Sequence, residues 1–100
     1  MTNTDYNLLN INYTEKNIKE YIEKYPYIKE QTNITVFNDI ALDLEMALEN
    51  AFLNQKEKII IEMLMNGKTK EDIIDTLAIA ERTYYKYRKS AIKKILTYLQ

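Results

Sequence analysis

Apolar positions recur at helical spacing along almost the whole chain. Ile18, Tyr21, Ile22 and Tyr25 stand at i, i+3, i+4 and i+7, which predicts a helix from Thr14 to Tyr25. Thr14 and Asn17 supply N-cap oxygens, and Glu20 follows Asn17 at capping-box distance. Pro26 stops or kinks this helix, because it lacks an N–H and restricts the residue before it. Tyr27 to Gln31 resumes for a turn. The β-branched stretch Thr32 to Val36 reads as a connector, since no second strand signal pairs with it. A further helix is predicted from Asn38 to Leu53, capped by Asn38, with Asp39, Asp43 and Glu45 suiting its N-terminal half. Its main apolar face is Ile40, Leu44, Ala47, Leu48 and Ala51. Leu42, Met46 and Leu53 form a second face, expected to touch the N-terminal helix or another subunit.

Gln55 to Asn66 is apolar nearly all round, as a helix in the centre of a small bundle should be. Gly67, the chain's one glycine, stands where a helix C-terminus needs positive φ. Thr69 then caps a short helix, Lys70 to Leu77, with Asp72 as its reciprocal partner. Ile73, Ile74 and Leu77 form the buried side of that helix, and the corner is Ala78-Ile79-Ala80, with Ile79 plugging the core. The last helix runs from Glu81 to about Leu99, roughly 28 Å at 1.5 Å per residue. Tyr84, Tyr87, Ala91, Ile95 and Tyr98 are its predicted inward stripe. The fold class is therefore all-α: a small helical bundle with a C-terminal helix-turn-helix. The expected division is an N-terminal arm over 1–13, a helix and connector over 14–36, and the helix-turn-helix unit over 37–100. Leu8, Leu9 and Ile11 are the arm residues able to dock.

Composition narrows the chemistry. The 100 residues hold no Cys and no His, which removes disulfides, Cys or His zinc sites, thiol nucleophiles and an imidazole base. The single serine, Ser90, lies among basic residues without a base to activate it. No catalytic residue, metal ligand or cofactor is assigned, and the chain is expected not to be an enzyme. Asp39, Asp43, Glu45 and Glu49 read as a solvated face and not as a Mg²⁺ site. No apolar run approaches membrane-span length and no signal-peptide pattern opens the chain, so a cytoplasmic protein is expected. Heavy use of Ile, Asn, Lys and Tyr suggests an AT-rich bacterial or phage genome.

The net charge of −1 conceals an asymmetry. Residues 81–100 carry Arg82, Lys86, Arg88, Lys89, Lys93 and Lys94 against Glu81, a net +5, whereas residues 1–80 carry eight Lys against fourteen acidic residues, a net −6. The basic end attracts polyanions. In helix-turn-helix docking the first turns of the second helix meet base edges. Arg82 is the candidate for guanine, because its fork matches O6 and N7. Tyr85 suits a thymine methyl or a phosphate. Lys86, Lys89 and Lys93 share the exposed side, with phosphate the commoner target. Lys68 and Lys70 are candidate backbone anchors, helped by N–H groups at the helix start.

Leu48 to Leu96 resembles region 4 of bacterial sigma factors, and more closely the phage ArpU-type transcriptional regulators. The likeness lies in Ile59-Ile60-Ile61, Gly67-Lys68-Thr69, Ile73 to Ile79, Arg82-Thr83-Tyr84-Tyr85-Lys86 and Ala91-Ile92-Lys93-Lys94-Ile95. It implies promoter DNA binding, with possible RNA polymerase contact. Three residues depart from the pattern. Ala78 takes a corner position where glycine is usual, at a cost on the order of 1 kcal/mol. Ala80 replaces a Ser or Thr cap worth ~1 kcal/mol. Ile74 stands where a small residue lets the helices approach. The expected function is transcription regulation by major-groove binding to double-stranded DNA, with a homodimer through the N-terminal half as a further expectation. Two alternatives stand beside it: an adaptor acting on RNA polymerase or a sigma factor, and a phage DNA-packaging recognition subunit.

Overall fold

A computed structural model of the chain describes residues 11–31 and 33–100. Those residues form α1 (Glu15–Glu23), α2 (Tyr25–Glu30), α3 (Thr35–Asn50), α4 (Gln55–Met65), α5 (Lys70–Leu77) and α6 (Glu81–Leu99). No strand occurs among the described residues, so the chain is an all-α bundle. None of its described helices is long and apolar enough to cross a membrane.

Local chemistry explains most boundaries. Thr14 caps α1 in a reciprocal box with Asn17, one turn earlier than the predicted Asn17–Glu20 pairing. Pro26 does not interrupt a helix. It sits in the first turn of α2, where its missing N–H costs nothing, so the chain bends at Lys24 and Tyr25 belongs to α2. Asn38 is not a cap, because α3 begins at Thr35 behind an Ile34 N-cap that has no side-chain bond. The connector is thus shorter than 32–36, and β-branched residues inside it joined the helix because Val36 and Phe37 pack on the core. Asn54 caps α4 in a box with Glu57. Gly67 (φ 81) closes α4: its N–H bonds to Leu64 O and that of Lys68 to Met63 O, the paired bonds of a left-handed helix end.

Helix α4 lies at the centre and packs most extensively on α6, which also meets α1 and α3. Ile60, Ile61, Leu44, Ala47, Ile73, Tyr84, Ala91 and Ile95 are buried in one core, which Ile18 and Ile22 of α1 share. Residues 14–36 are therefore part of the same bundle as 37–100. The expected arm over 1–13 falls mostly on residues 1–10, including Leu8 and Leu9, which lie outside the described residues. Its last part is not an arm: Ile11 packs against the core and Tyr13 is buried. The Tyr13 hydroxyl donates to Asp43 Oδ2 at 2.6 Å, and burial followed by this carboxylate raises the phenol's pKa.

Two expectations about faces need correction. The inward arc of α6 includes Ile92 and is turned away from Tyr98, which is exposed, while Tyr87 is only half-buried. Leu42 and Met46 of α3 are exposed and not covered by the N-terminal helix, which leaves them open to another subunit, and Leu53 lies beyond the end of α3, half-buried against the core. Phe52, in the turn between α3 and α4, adopts φ 59 and is 92% exposed.

The corner between α5 and α6 is built as the sequence predicts. Ala78 is left-handed (φ 54, ψ 49), and Ala80 caps α6 without a side-chain bond. Ile79 is half-buried against the core and Ile73 fully buried beneath it. An alanine held at positive φ and an alanine cap are both correctable costs. Ala78→Gly and Ala80→Ser should each raise stability by about 1 kcal/mol, read as a higher urea midpoint at unchanged m value.

Candidate nucleic-acid interface

After the corner, α6 packs one side on the core and leaves the other exposed. Arg82, Lys86, Lys89 and Lys93 fall at i, i+4, i+7 and i+11, so they line one side of the helix. All four are exposed, and none has an ion-pair partner among the described residues. Lys86, Lys89 and Lys93 border a shallow cleft of about 390 Å³ along this side, together with Ser90 and Lys94. Four cations in a row over more than two helical turns give a surface that recruits anions.

The other three sequence candidates stand differently. Lys68 is exposed in the turn between α4 and α5. Lys70 is not an idle backbone anchor. Its ammonium donates to Glu81 Oε2 at 2.5 Å and to the Tyr85 hydroxyl at 3.1 Å, and lies 5.3 Å from the Tyr85 ring centroid. The Glu81 bond, and then the Tyr85 bond, hold the ammonium above its ordinary pKa, and Lys70 in turn keeps the Glu81 carboxyl below its own. Tyr85 is the hub of this corner. Its ring meets Tyr84 edge-on at 5.2 Å, and the Arg88 guanidinium lies 5.0 Å from its centroid. The Thr69–Asp72 box bonds both the Thr69 and Asp72 N–H groups, so these do not face outward.

Releasing Lys70 is a direct test of its role. Glu81→Gln removes the charge that holds the ammonium and one negative charge from the leading edge of α6. If this side binds duplex DNA, the variant should bind it more tightly, and the slope of log K against log salt should steepen by about 1 as Lys70 turns to phosphate. Fluorescence anisotropy of a labelled duplex reads both.

Several functional-site neighbours escaped the sequence reading. Arg88 is half-buried, stacked on Tyr85 and reaching within 4.0 Å of Glu23 on α1. Its place one turn after Tyr84 was the available signal. Lys94 and Ser90 point to the side of α6, where Lys94 Nζ (2.8 Å) and Ser90 Oγ (2.5 Å) both donate to Glu57. Asn54-x-x-Glu57 is a legible capping box, and it alone could have marked Glu57. Lys16 and Lys19 on α1 border a second cleft against α6, which no local pattern announces.

The carboxylates of α3 are not simply solvated. Asp43 receives the Tyr13 hydroxyl, and Glu45 receives both Tyr25 and Lys29, the latter at 2.8 Å. Lys29 and then Tyr25 hold the Glu45 carboxyl below its ordinary pKa. Glu49 lies 3.5 Å from Lys58. These residues brace α3 against its neighbours.

No protein-family model matches this chain, and neither the curated proteins nor the solved structures provide a match.

Proposed function

We propose that this protein binds double-stranded DNA sequence-specifically and regulates transcription, with α6 entering the major groove. The observation that carries the reading is the row Arg82, Lys86, Lys89 and Lys93, exposed and without ion-pair partners among the described residues, on the second helix of a helix-turn-helix. A helix presented in this way places its first turns against base edges. Arg82, nearest the N-terminus, has the fork geometry for guanine O6 and N7. Lys86, Lys89 and Lys93 meet phosphates, which orient the protein without reading sequence. From the sequence likeness to sigma region 4 and ArpU-type regulators we further propose a bacterial or phage promoter as the target and RNA polymerase as a neighbour. The protein acts by binding and not by catalysis.

Anisotropy of labelled duplexes, from 50 mM salt upward, tests this. Binding that weakens steeply with salt and differs among duplex sequences is expected. No binding to any duplex at the lowest salt would remove the proposal.

A second reading, an adaptor that binds protein through its N-terminal half, is favoured by one observation: Leu42, Met46 and Phe52 are all exposed apolar side chains. Retained partner binding after Arg82→Ala, with loss after Leu42→Ala, would select it.

A further inference from the structure

Helix α1 lies against α6 on the flank of the basic row. Between them is a cleft of about 390 Å³. Lys16 and Lys19 stand on its α1 side, and Arg88 and Lys89 on its α6 side. Tyr85 and Ile92 also line it, and Glu15 is the one carboxylate on its border. Four cations from two helices thus face one depression. Neither Lys16, Lys19 nor Lys89 has an ion-pair partner among the described residues, and Arg88 is only 4.0 Å from Glu23 at its nearest approach. Like charges gathered around one cleft repel one another, and an anion between them relieves that repulsion.

The cleft's position says which anion. Lys89 belongs both to this cleft and to the one along the exposed side of α6. Tyr85 belongs to this cleft and to the Lys70 corner. A basic border therefore runs from Lys86 and Lys93 through Lys89 to Arg88, Lys16 and Lys19, with Tyr85 at its edge. When a helix lies in a major groove, the sugar-phosphate strands form the groove's two walls and run beside the helix. A border of cations along one flank of α6 follows such a wall.

We propose that α1 is a second DNA-contacting element, in which Lys16 and Lys19, with Arg88 and Lys89 opposite them, hold backbone phosphates of the strand beside α6. This rests on the DNA-binding reading above, and it assigns to α1, in the acidic part of the chain, a role that net charge conceals. The contact is with phosphate, so it adds affinity and fixes register without selecting bases.

The test is duplex binding by the full chain carrying Lys16→Ala and Lys19→Ala, read by anisotropy across salt. Both residues lie on α1 outside the buried set, so circular dichroism should report an unchanged fold. Affinity should fall about tenfold or more near 0.1 M salt, equally on every duplex sequence, and the salt slope should fall by about 2. Lys16→Arg/Lys19→Arg should restore both. Lys56→Ala/Lys58→Ala, the same charge change at the start of α4, should change neither. The inference is overturned if the α1 variant matches wild type in affinity and slope, or if the α4 variant loses as much, since that would reduce the effect to overall charge. Failure of wild type itself to bind any duplex would remove the underlying reading as well, and is distinguished by that outcome.

Discussion

Glu57→Ala should destabilise the protein by about 3 kcal/mol, more than any other polar substitution in the bundle. Glu57 is the one buried charged residue among those described, at 1% exposure. It is satisfied from three directions: the Asn54 N–H at 2.8 Å, Ser90 Oγ at 2.5 Å and Lys94 Nζ at 2.8 Å. One side chain therefore closes the start of α4 and ties it to the middle of α6, the two helices that pack together most extensively. Truncation removes the cap partner and leaves Ser90 and Lys94 without their acceptor. Breaking a buried pair by deleting one member costs about 3–5 kcal/mol; the lower end applies because Lys94 reaches solvent from where it stands. Against a total stability of roughly 5–15 kcal/mol, that is a large share. Urea unfolding followed by circular dichroism measures it.

The same carboxylate makes stability depend on pH in a defined direction. Burial alone raises its pKa; the bonds from Lys94, Ser90 and the Asn54 backbone more than offset this, and the net position is below the ordinary value. A group whose folded pKa is depressed contributes stability above its unfolded pKa, about 4.3, and loses it as pH falls through the lower folded value. Glu57→Gln should therefore lose stability at neutral pH yet show a flatter acid limb below about pH 4 than wild type. Parallel acid limbs would mean that the Glu57 charge is not what holds α4 to α6.

Arg82→Ala/Lys86→Ala/Lys89→Ala should reduce duplex affinity at least a hundredfold near 0.1 M salt, and lower the salt slope by about 3. Each of these cations is exposed, so none contributes to the core. Alanine is the best helix former, so α6 should persist. The effect is therefore on binding and not on folding, and an unchanged circular dichroism spectrum verifies that. The members should differ when changed singly. Arg82→Ala should relax preference at one base pair by about 1–3 kcal/mol, whereas Lys86→Ala and Lys89→Ala should weaken all duplexes alike.

The parts of this fold that were legible in the sequence were those fixed by local chemistry. Thr69 and Asp72 form their box, Gly67 ends α4, and Ala78 takes the left-handed corner, because each depends only on residues within a few positions. The start of α3 was missed because packing of Val36 and Phe37 outweighed their weak helix preference and the attraction of Asn38 as a cap. Pro26 was legible as a boundary, but whether it ends one helix or begins the next depends on where Tyr25 packs. The basic row of α6 follows from periodicity alone. The engagement of Lys70 by Glu81, eleven residues away, and the approach of Lys16 and Lys19 to α6 depend on tertiary placement, which no local pattern encodes.

The most direct test of α6 as the DNA-reading element is the footprint of DNA on the protein. Amide chemical shifts of the ¹⁵N-labelled chain would be followed during titration with a bound duplex. The expected shifts cluster on Arg82, Lys86, Lys89 and Lys93, with smaller ones at Lys68 and Lys70. Shifts concentrated on α3 around Leu42 and Met46, with the outer side of α6 unmoved, would contradict the account.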